Sequence, residues 1–153
     1  MSTDGVPTLY EWAGGPDAFE RLTELFYQKV HRDPLLAPLF AHVGPDHAHH
    51  VASWLAEVFG GPPRYTEELG GYAVMMRHHL GLQITDERRR RWVQLLAETA
   101  DDAGLPADPE FRSAFLAYLE WGSRIGMANS QVGVTPPPEA PVPRWGWGEA
   151  PPP

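Results

Sequence analysis

The sequence contains no cysteine among its 153 residues, and this absence removes several classes of chemistry. It excludes a disulfide framework, a thiolate nucleophile, an iron–sulfur cluster and a zinc–thiolate site. Basic residues are also few, since 12 lysines and arginines stand against 20 aspartates and glutamates, for a net charge of −8. A chain this acidic argues against nucleic acid as a partner. Any metal chemistry must therefore use histidine or carboxylate ligands.

Long hydrophobic runs are absent as well. No apolar segment approaches the roughly 20 residues of a membrane span, so we expect no membrane partner. The first residues, MSTDGV, have neither the basic nor the apolar segment of a signal peptide. The expectation is a soluble, cytoplasmic domain that is long enough to form a hydrophobic core.

Proline is abundant, but 8 of the 17 prolines lie beyond position 135. Because proline removes a backbone donor and fixes φ, we predict a folded domain over 1–128 and a Pro-rich, disordered or polyproline-type tail over 129–153. Trp145 and Trp147 are unusual in such a tail. They indicate either a short patch that folds back onto the domain, which we favour, or a docking motif.

Apolar residues recur at three- and four-residue spacing through most of the chain, and no window shows the period of two that is typical of a strand. The sequence therefore predicts an all-α fold. Residue types that favour helix starts precede or open several of these segments. The predicted helices cover 16–31, a short turn from Asp33 to Phe40, a segment from Pro45 to about Phe59, a segment from Thr85 to about Ala103, and a last one from Asp108 to about Ile125.

Two segments fit this pattern less well. Residues 62–84 are rich in glycine and have a helical pattern only from Gly71 to Leu80, and segments of this length inside a domain are usually functional. The four consecutive arginines 88–91 point in different directions on a helix and follow two acidic residues. We expect them to form a solvated face.

All seven histidines lie between positions 31 and 79. The repeated Glu-x-x-His motif of a di-iron bundle and the His-Glu-x-x-His motif of a zinc protease are both missing. Haem needs only one axial histidine, an apolar pocket and chosen polar groups on the other side. His79 fits that role, because it ends the long 62–84 segment and precedes apolar residues. His47 shares the apolar face of its predicted helix with Val51 and Leu55.

Several short motifs, taken together, resemble the truncated haemoglobins, specifically group II. Trp92, 13 residues after His79, lies where this group carries its distal-side tryptophan. The resemblance extends from about Leu9 to Ala128 and implies a truncated globin fold, a 2-on-2 helical sandwich around one haem b with its iron. The other matching motifs are the diglycines Gly14-Gly15 and Gly60-Gly61, the triplet Leu25-Phe26-Tyr27, the loop Gly60–Thr66 and the stretch His79–Thr85.

The resemblance also implies roles for individual residues. The register selects His79 rather than His78 as the iron ligand. The side chains implied to stabilise a distal ligand are Tyr27, Trp92 and His47. Those implied to contact the haem propionates are Arg77, Arg64 and Tyr65. Those implied to pack on the haem are Phe26, Phe40, Val51, Trp54, Leu55, Leu82 and Ile84.

Two positions depart from the family pattern. Phe40 stands where many relatives have tyrosine, which removes one distal hydroxyl. His47, placed by allowing one gap, stands where many relatives have a smaller residue. It is a candidate for a gate of the distal pocket or for a second iron ligand, and the sequence does not decide between these roles.

The function implied by the resemblance is reversible binding of O₂ or another small diatomic ligand, as in oxygen transport. Two alternatives stay open. One is a haem oxidoreductase that turns over peroxide or NO at the same site with the help of a reductase partner. The other is a haem-free helical binding protein in which the histidines are structural.

Overall fold

The computed structural model describes residues 5–135 and 137–153, and the regular structure in these ranges is entirely helical. Residues 1–4 and Pro136 lie outside the described residues. The expectation that there is no signal peptide depends on the first of these, and Pro136 belongs to the predicted tail. The helices are α1 (Leu9–Ala13), α2 (Pro16–Val30), a 3₁₀ turn (Ala37–Phe40), α3 (His47–Val58), α4 (Arg64–Leu69), α5 (Gly71–Arg77), α6 (Asp86–Asp102) and α7 (Pro109–Asn129).

The starts of the longer helices follow from their first residues. The Thr85 hydroxyl accepts a hydrogen bond from the Arg88 amide at 3.2 Å, so Thr85 caps α6 as expected. An Asp108 carboxylate oxygen accepts from the Phe111 amide at 2.9 Å, and Pro109 occupies the first turn of α7. The sequence did not predict α1, which is only five residues long, nor the helical conformation of 64–69 inside the 62–84 segment.

Four helices form two packed pairs. Helix α2 packs on α3, α6 packs on α7, and α2 also contacts α6. A row of phenylalanines joins the pairs: the ring centroids of Phe19 and Phe59 lie 5.8 Å apart, those of Phe59 and Phe115 5.6 Å, and those of Phe115 and Phe111 5.7 Å. All four side chains are fully buried. Aromatic burial of this kind is a large part of the free energy that holds a small helical domain together.

The diglycine after α3 allows this helix to end against α1. Gly60 has a φ of 103°, and a Cβ at this position would lie 2.8 Å from the Cβ of Thr8. A Cβ at Gly61 would lie 2.8 Å from the Ala56 carbonyl oxygen. Both glycines are therefore required by close approach of the chain, and at Gly60 also by its left-handed conformation.

The four arginines form the expected solvated face only in part, since Arg90 is exposed but Arg89 and Arg91 turn towards neighbouring elements. Arg89 is only 3% exposed, and its guanidinium donates to Asp86 at 2.9 Å and to Ser123 on α7 at 3.2 Å. Arg91 donates to the buried carboxylate of Asp33 at 2.6 Å. Because these arginines find carboxylate and hydroxyl acceptors on neighbouring elements, they join α6 to α7 and to the turn after α2.

The end of the chain also departs from the expected boundary at residue 128. Ser130 is fully buried: its carbonyl accepts from the Gln83 amide at 2.8 Å, and its hydroxyl accepts from the Ile84 amide at 2.9 Å. Further on, Val142 is 6% exposed, and the Trp145 indole donates to the Ala114 carbonyl at 3.0 Å. Burial of apolar side chains, together with these hydrogen bonds, explains why 139–147 lies on the helices although it has no regular secondary structure.

None of the helices within the described ranges combines the length and the apolar character needed to cross a membrane.

A buried hydrogen bond between α3 and α7 gives a first test of the fold. The Trp54 indole N–H donates to the Tyr118 hydroxyl at 2.8 Å. We expect Tyr118→Phe to lower the free energy of unfolding by about 1 kcal/mol or more, because the buried indole loses its acceptor. Urea denaturation measures this change. Tyr10→Phe is the control, since the Tyr10 hydroxyl makes no hydrogen bond to the residues that the structure describes, and an equal loss in both variants would contradict the assignment.

Candidate functional site

Two of the predicted distal residues, Tyr27 and His47, come together with the predicted packing residue Phe40 between α2, the 3₁₀ turn and α3. The Tyr27 hydroxyl and His47 Nε2 share a hydrogen bond of 3.1 Å, and the centroids of the two rings lie 4.8 Å apart. The Phe40 ring lies 5.5 Å from that of Tyr27 and 5.8 Å from that of His47. Because Phe40 has no polar group, Tyr27 and His47 are the polar members of this cluster.

Burial holds both polar members in their uncharged forms. It raises the pKa of the Tyr27 phenol above its ordinary value of 10. Burial, helped by the charges of His78 and His50, lowers the pKa of His47 to about 4. At neutral pH the cluster therefore contains a phenol that can donate a hydrogen bond and an imidazole without charge.

Trp92 approaches the same region from α6. Its ring centroid lies 5.9 Å from that of Phe26, and Phe26 in turn lies 5.0 Å from the ring of Tyr27. Trp92 is half-buried. Its indole N–H makes no hydrogen bond to the residues that the structure describes, so it is available to a ligand.

His79 lies two residues after the end of α5, and the backbone of that helix orients its ring. Its Nδ1 lies 2.9 Å from the Met75 carbonyl oxygen, so Nδ1 carries the proton that this acceptor requires. The other ring nitrogen, Nε2, then has a free lone pair. Burial lowers the pKa of His79, which favours the neutral imidazole that can bind a metal.

A glycine on α7 makes room for this imidazole. A Cβ at Gly126 would lie 3.1 Å from both Nε2 and Cδ2 of His79. Any larger residue would push the ring away from its present position. The neutral imidazole and its free Nε2 have the chemistry of the axial ligand of the expected haem. His78, by contrast, is exposed.

The propionate candidates differ in position. Arg64 and Arg77 are exposed, Arg64 at the start of α4 and Arg77 at the end of α5. Tyr65 does not fit this role, because its side chain is 1% exposed and its ring packs against Trp54 at 5.3 Å.

The expected packing residues divide between the site and the core. Trp54 and Leu55 are buried, and the Trp54 indole is directed to Tyr118 of α7. Val51 and Ile84 are half-buried. Leu82 is 39% exposed. Of the seven predicted residues, Phe26 and Phe40 are the two whose rings contact Tyr27.

Two contributors to the site were missed by the sequence reasoning. They are the Met75 carbonyl, which orients His79, and Gly126, which leaves space for it. Backbone carbonyls have no sequence signal. Gly126 has one, because glycine weakens a helix interior, and a helix with glycine at both 122 and 126 points to close packing on that face.

Comparison with known proteins agrees with this geometry. The model of the bacterial-like globin family matches residues 8–121. The group 2 truncated hemoglobin YjbI of Bacillus subtilis is 33% identical over 110 residues, which are 72% of this chain and 81% of the relative.

Solved structures give the same result. The group II truncated hemoglobin of Bacillus anthracis superposes with a TM-score of 0.71 at 29% identity, over 83% of this chain and 96% of that one. The truncated oxygen-avid haemoglobin of Bacillus subtilis does so with a TM-score of 0.68 at 31% identity, over 77% and 97%. The all-α, truncated globin fold expected from the sequence is confirmed.

The pKa of His47 predicts how stability depends on pH. The folded chain keeps the pKa near 4, below the ordinary 6.5, so stability is fully present above pH 6.5 and is lost as the pH falls towards 4. We expect the unfolding free energy of the wild type to fall more than that of His47→Gln between about pH 7.5 and about pH 5. Urea titrations at both pH values measure the difference, with exposed His42→Gln as the control. Parallel behaviour of wild type and His47→Gln would contradict burial of this imidazole.

Proposed function

This chain belongs to the bacterial-like globin family, and we propose that it holds one haem b on His79 and reversibly binds O₂ or another small diatomic ligand. Membership of the family implies a haem-binding globin. The observation that carries the finer proposal is the hydrogen bond of 2.9 Å between His79 Nδ1 and the Met75 carbonyl. Because Nδ1 holds the proton, Nε2 keeps the free lone pair with which a neutral imidazole binds iron.

The distal residues would hold a ligand through hydrogen bonds in a dry pocket. Haem, when bound, would supply the iron centre, and a polarised diatomic ligand there would accept hydrogen bonds from the protein. The Tyr27 hydroxyl and the Trp92 indole are donors with apolar bodies, and such hydrogen bonds gain strength where the dielectric constant is low. Phe26 and Phe40 lie against Tyr27 and exclude water from its hydroxyl.

His47 has a different part in this proposal. Its hydrogen bond to Tyr27 holds the phenol in place while no ligand competes for it. Because the imidazole is half-buried at the start of α3, it can leave this position towards solvent without disturbing the core. We propose that it gates the distal pocket.

We propose that two exposed arginines form a cationic rim at the haem site. Arg64 and Arg77 are placed at the ends of α4 and α5 and are free to reach carboxylates at the protein surface. We propose that they pair with the haem propionates, since a guanidinium binds carboxylates through two parallel hydrogen bonds. Tyr65, buried against Trp54, is not part of this rim.

The proposed physiological setting is the cytoplasm, with O₂ as the favoured ligand. One solved relative is described as oxygen-avid, which supports this choice. Repeated O₂ binding requires ferrous iron, so we also propose a reductase as a partner that restores this state. The oxidoreductase alternative uses the same residues, and peroxide turnover by the purified protein would distinguish it from ligand carriage.

Substitution of His79 tests the haem site. We expect the purified protein, supplemented with haem, to show a Soret band that His79→Ala abolishes or strongly weakens, because the alanine offers no ligand to iron. Absorption spectroscopy measures this, and exposed His42→Ala is the matched control. A folded wild-type protein that stays colourless after supplementation would instead support the haem-free binding protein.

Removal of each distal donor tests the second part of the proposal. We expect Tyr27→Phe and Trp92→Phe each to speed O₂ dissociation about tenfold, because each removes one hydrogen bond in a low-dielectric pocket. Stopped-flow dissociation of the ferrous protein gives these rates. Trp121→Phe, on the exposed face of α7, should leave them unchanged. Unaltered rates in both distal variants would show that neither side chain contacts the ligand.

A further inference from the structure

The C-terminal segment 139–147, which we call the C-terminal strap, connects several helices after the last of them has ended. Trp145 anchors it to two helices. The Trp145 amide donates to the Val58 carbonyl, at the end of α3, at 2.7 Å. The Trp145 indole donates to the Ala114 carbonyl of α7 at 3.0 Å. The Trp145 ring lies 5.5 Å from that of Tyr118. These contacts fix the strap to the two helices that carry the core.

The far end of the strap is anchored as firmly. The Trp147 indole donates to the Pro7 carbonyl at 2.8 Å, and its ring meets that of Trp12 edge-on at 5.7 Å. Arg144 donates to the Gly61 carbonyl at 3.3 Å. The strap is thus tied to the first helix and to the diglycine after α3.

The near end of the strap reaches the helix that precedes His79. A carboxylate oxygen of Glu139 accepts a hydrogen bond from the Ala73 amide at 3.2 Å. Ala73 lies in the first turn of α5, where amides have no partner within the helix. A negative charge at this end is also favoured by the helix dipole. Glu139 therefore satisfies a free donor of α5 and connects this helix to the anchored strap.

Helix α5 is short, so its position depends on what holds its ends. It has seven residues, and isolated helices of this length are unstable in water. The same helix supplies the Met75 carbonyl that orients the His79 imidazole, two residues beyond Ala73. A displacement of the first turn would therefore move the acceptor that fixes the ring.

We propose that the C-terminal strap positions α5, and through it His79, with Glu139 as the positioning residue. The inference rests on the proposed function of His79 as the haem ligand. It assigns to the Pro-rich end of the chain a part in the haem site, although the only hydrogen bond of the His79 ring within the described residues goes to Met75. The strap then determines how tightly the axial imidazole is held when haem binds.

The first measurement tests the strap without reference to haem. Hydrogen–deuterium exchange of the full-length protein should show exchange over 71–79 about fivefold faster in Glu139→Ala than in wild type, because one hydrogen bond to α5 is lost. Glu139→Gln keeps the acceptor oxygen and should restore most of the protection. Glu149→Ala, the same change at an exposed site in the same tail, is the control. Unchanged exchange over 71–79 in Glu139→Ala overturns the proposal.

The second measurement tests the link to His79. We expect Glu139→Ala to lose haem to a scavenging apoprotein several-fold faster than wild type, and to shift the iron–histidine stretching band in the resonance Raman spectrum of the reduced protein. Glu139→Gln and Glu149→Ala should keep the wild-type rate and band. Faster exchange without either change would show that the strap stabilises α5 only, which overturns the positioning role. If wild type takes up no haem, the proposed function is wrong and the positioning role is wrong with it, while exchange still reports on the contact itself.

Discussion

The packing of phenylalanine rings between the two helix pairs is the interaction on which the rest of the molecule depends. Phe19 belongs to α2, Phe59 follows α3, and Phe111 and Phe115 belong to α7, so one buried row fixes three helices at once. Tyr27, His47 and Gly126 are carried by the same three helices. The two parts of the candidate site, the Tyr27–His47 pair and the surroundings of His79, are therefore held by a single core, and a change in the core would affect both.

The site itself is built from ionisable groups that burial keeps neutral. Tyr27, His47 and His79 all have a pKa shifted in the direction that disfavours charge. Charge away from the site is kept by pairing, since Arg89 and Arg91 of α6 form ion pairs with acidic groups on neighbouring elements.

Much of the fold could be predicted because it depends on local signals. Pro16, Thr85 and Asp108 marked helix starts correctly, since caps act within one turn. Arg89, Tyr65 and the strap could not be placed in the same way, because their surroundings are formed by residues distant in sequence. In the site, periodicity placed His47 on an inner face and the family resemblance placed His79, Tyr27 and Trp92. Neither could predict the hydrogen bond between His79 and the Met75 carbonyl, because this contact depends on the exact backbone geometry of α5.

The contact between Trp147 and Pro7 has a consequence for the order in which the chain folds. The two residues are 140 positions apart, and the entropy of closing so large a loop delays such contacts until most local structure exists. We expect the helices to assemble first and the ends of the chain to meet last. The short helix next to His79 would then acquire its final orientation only in the closing step, so that maturation of the site coincides with completion of the fold.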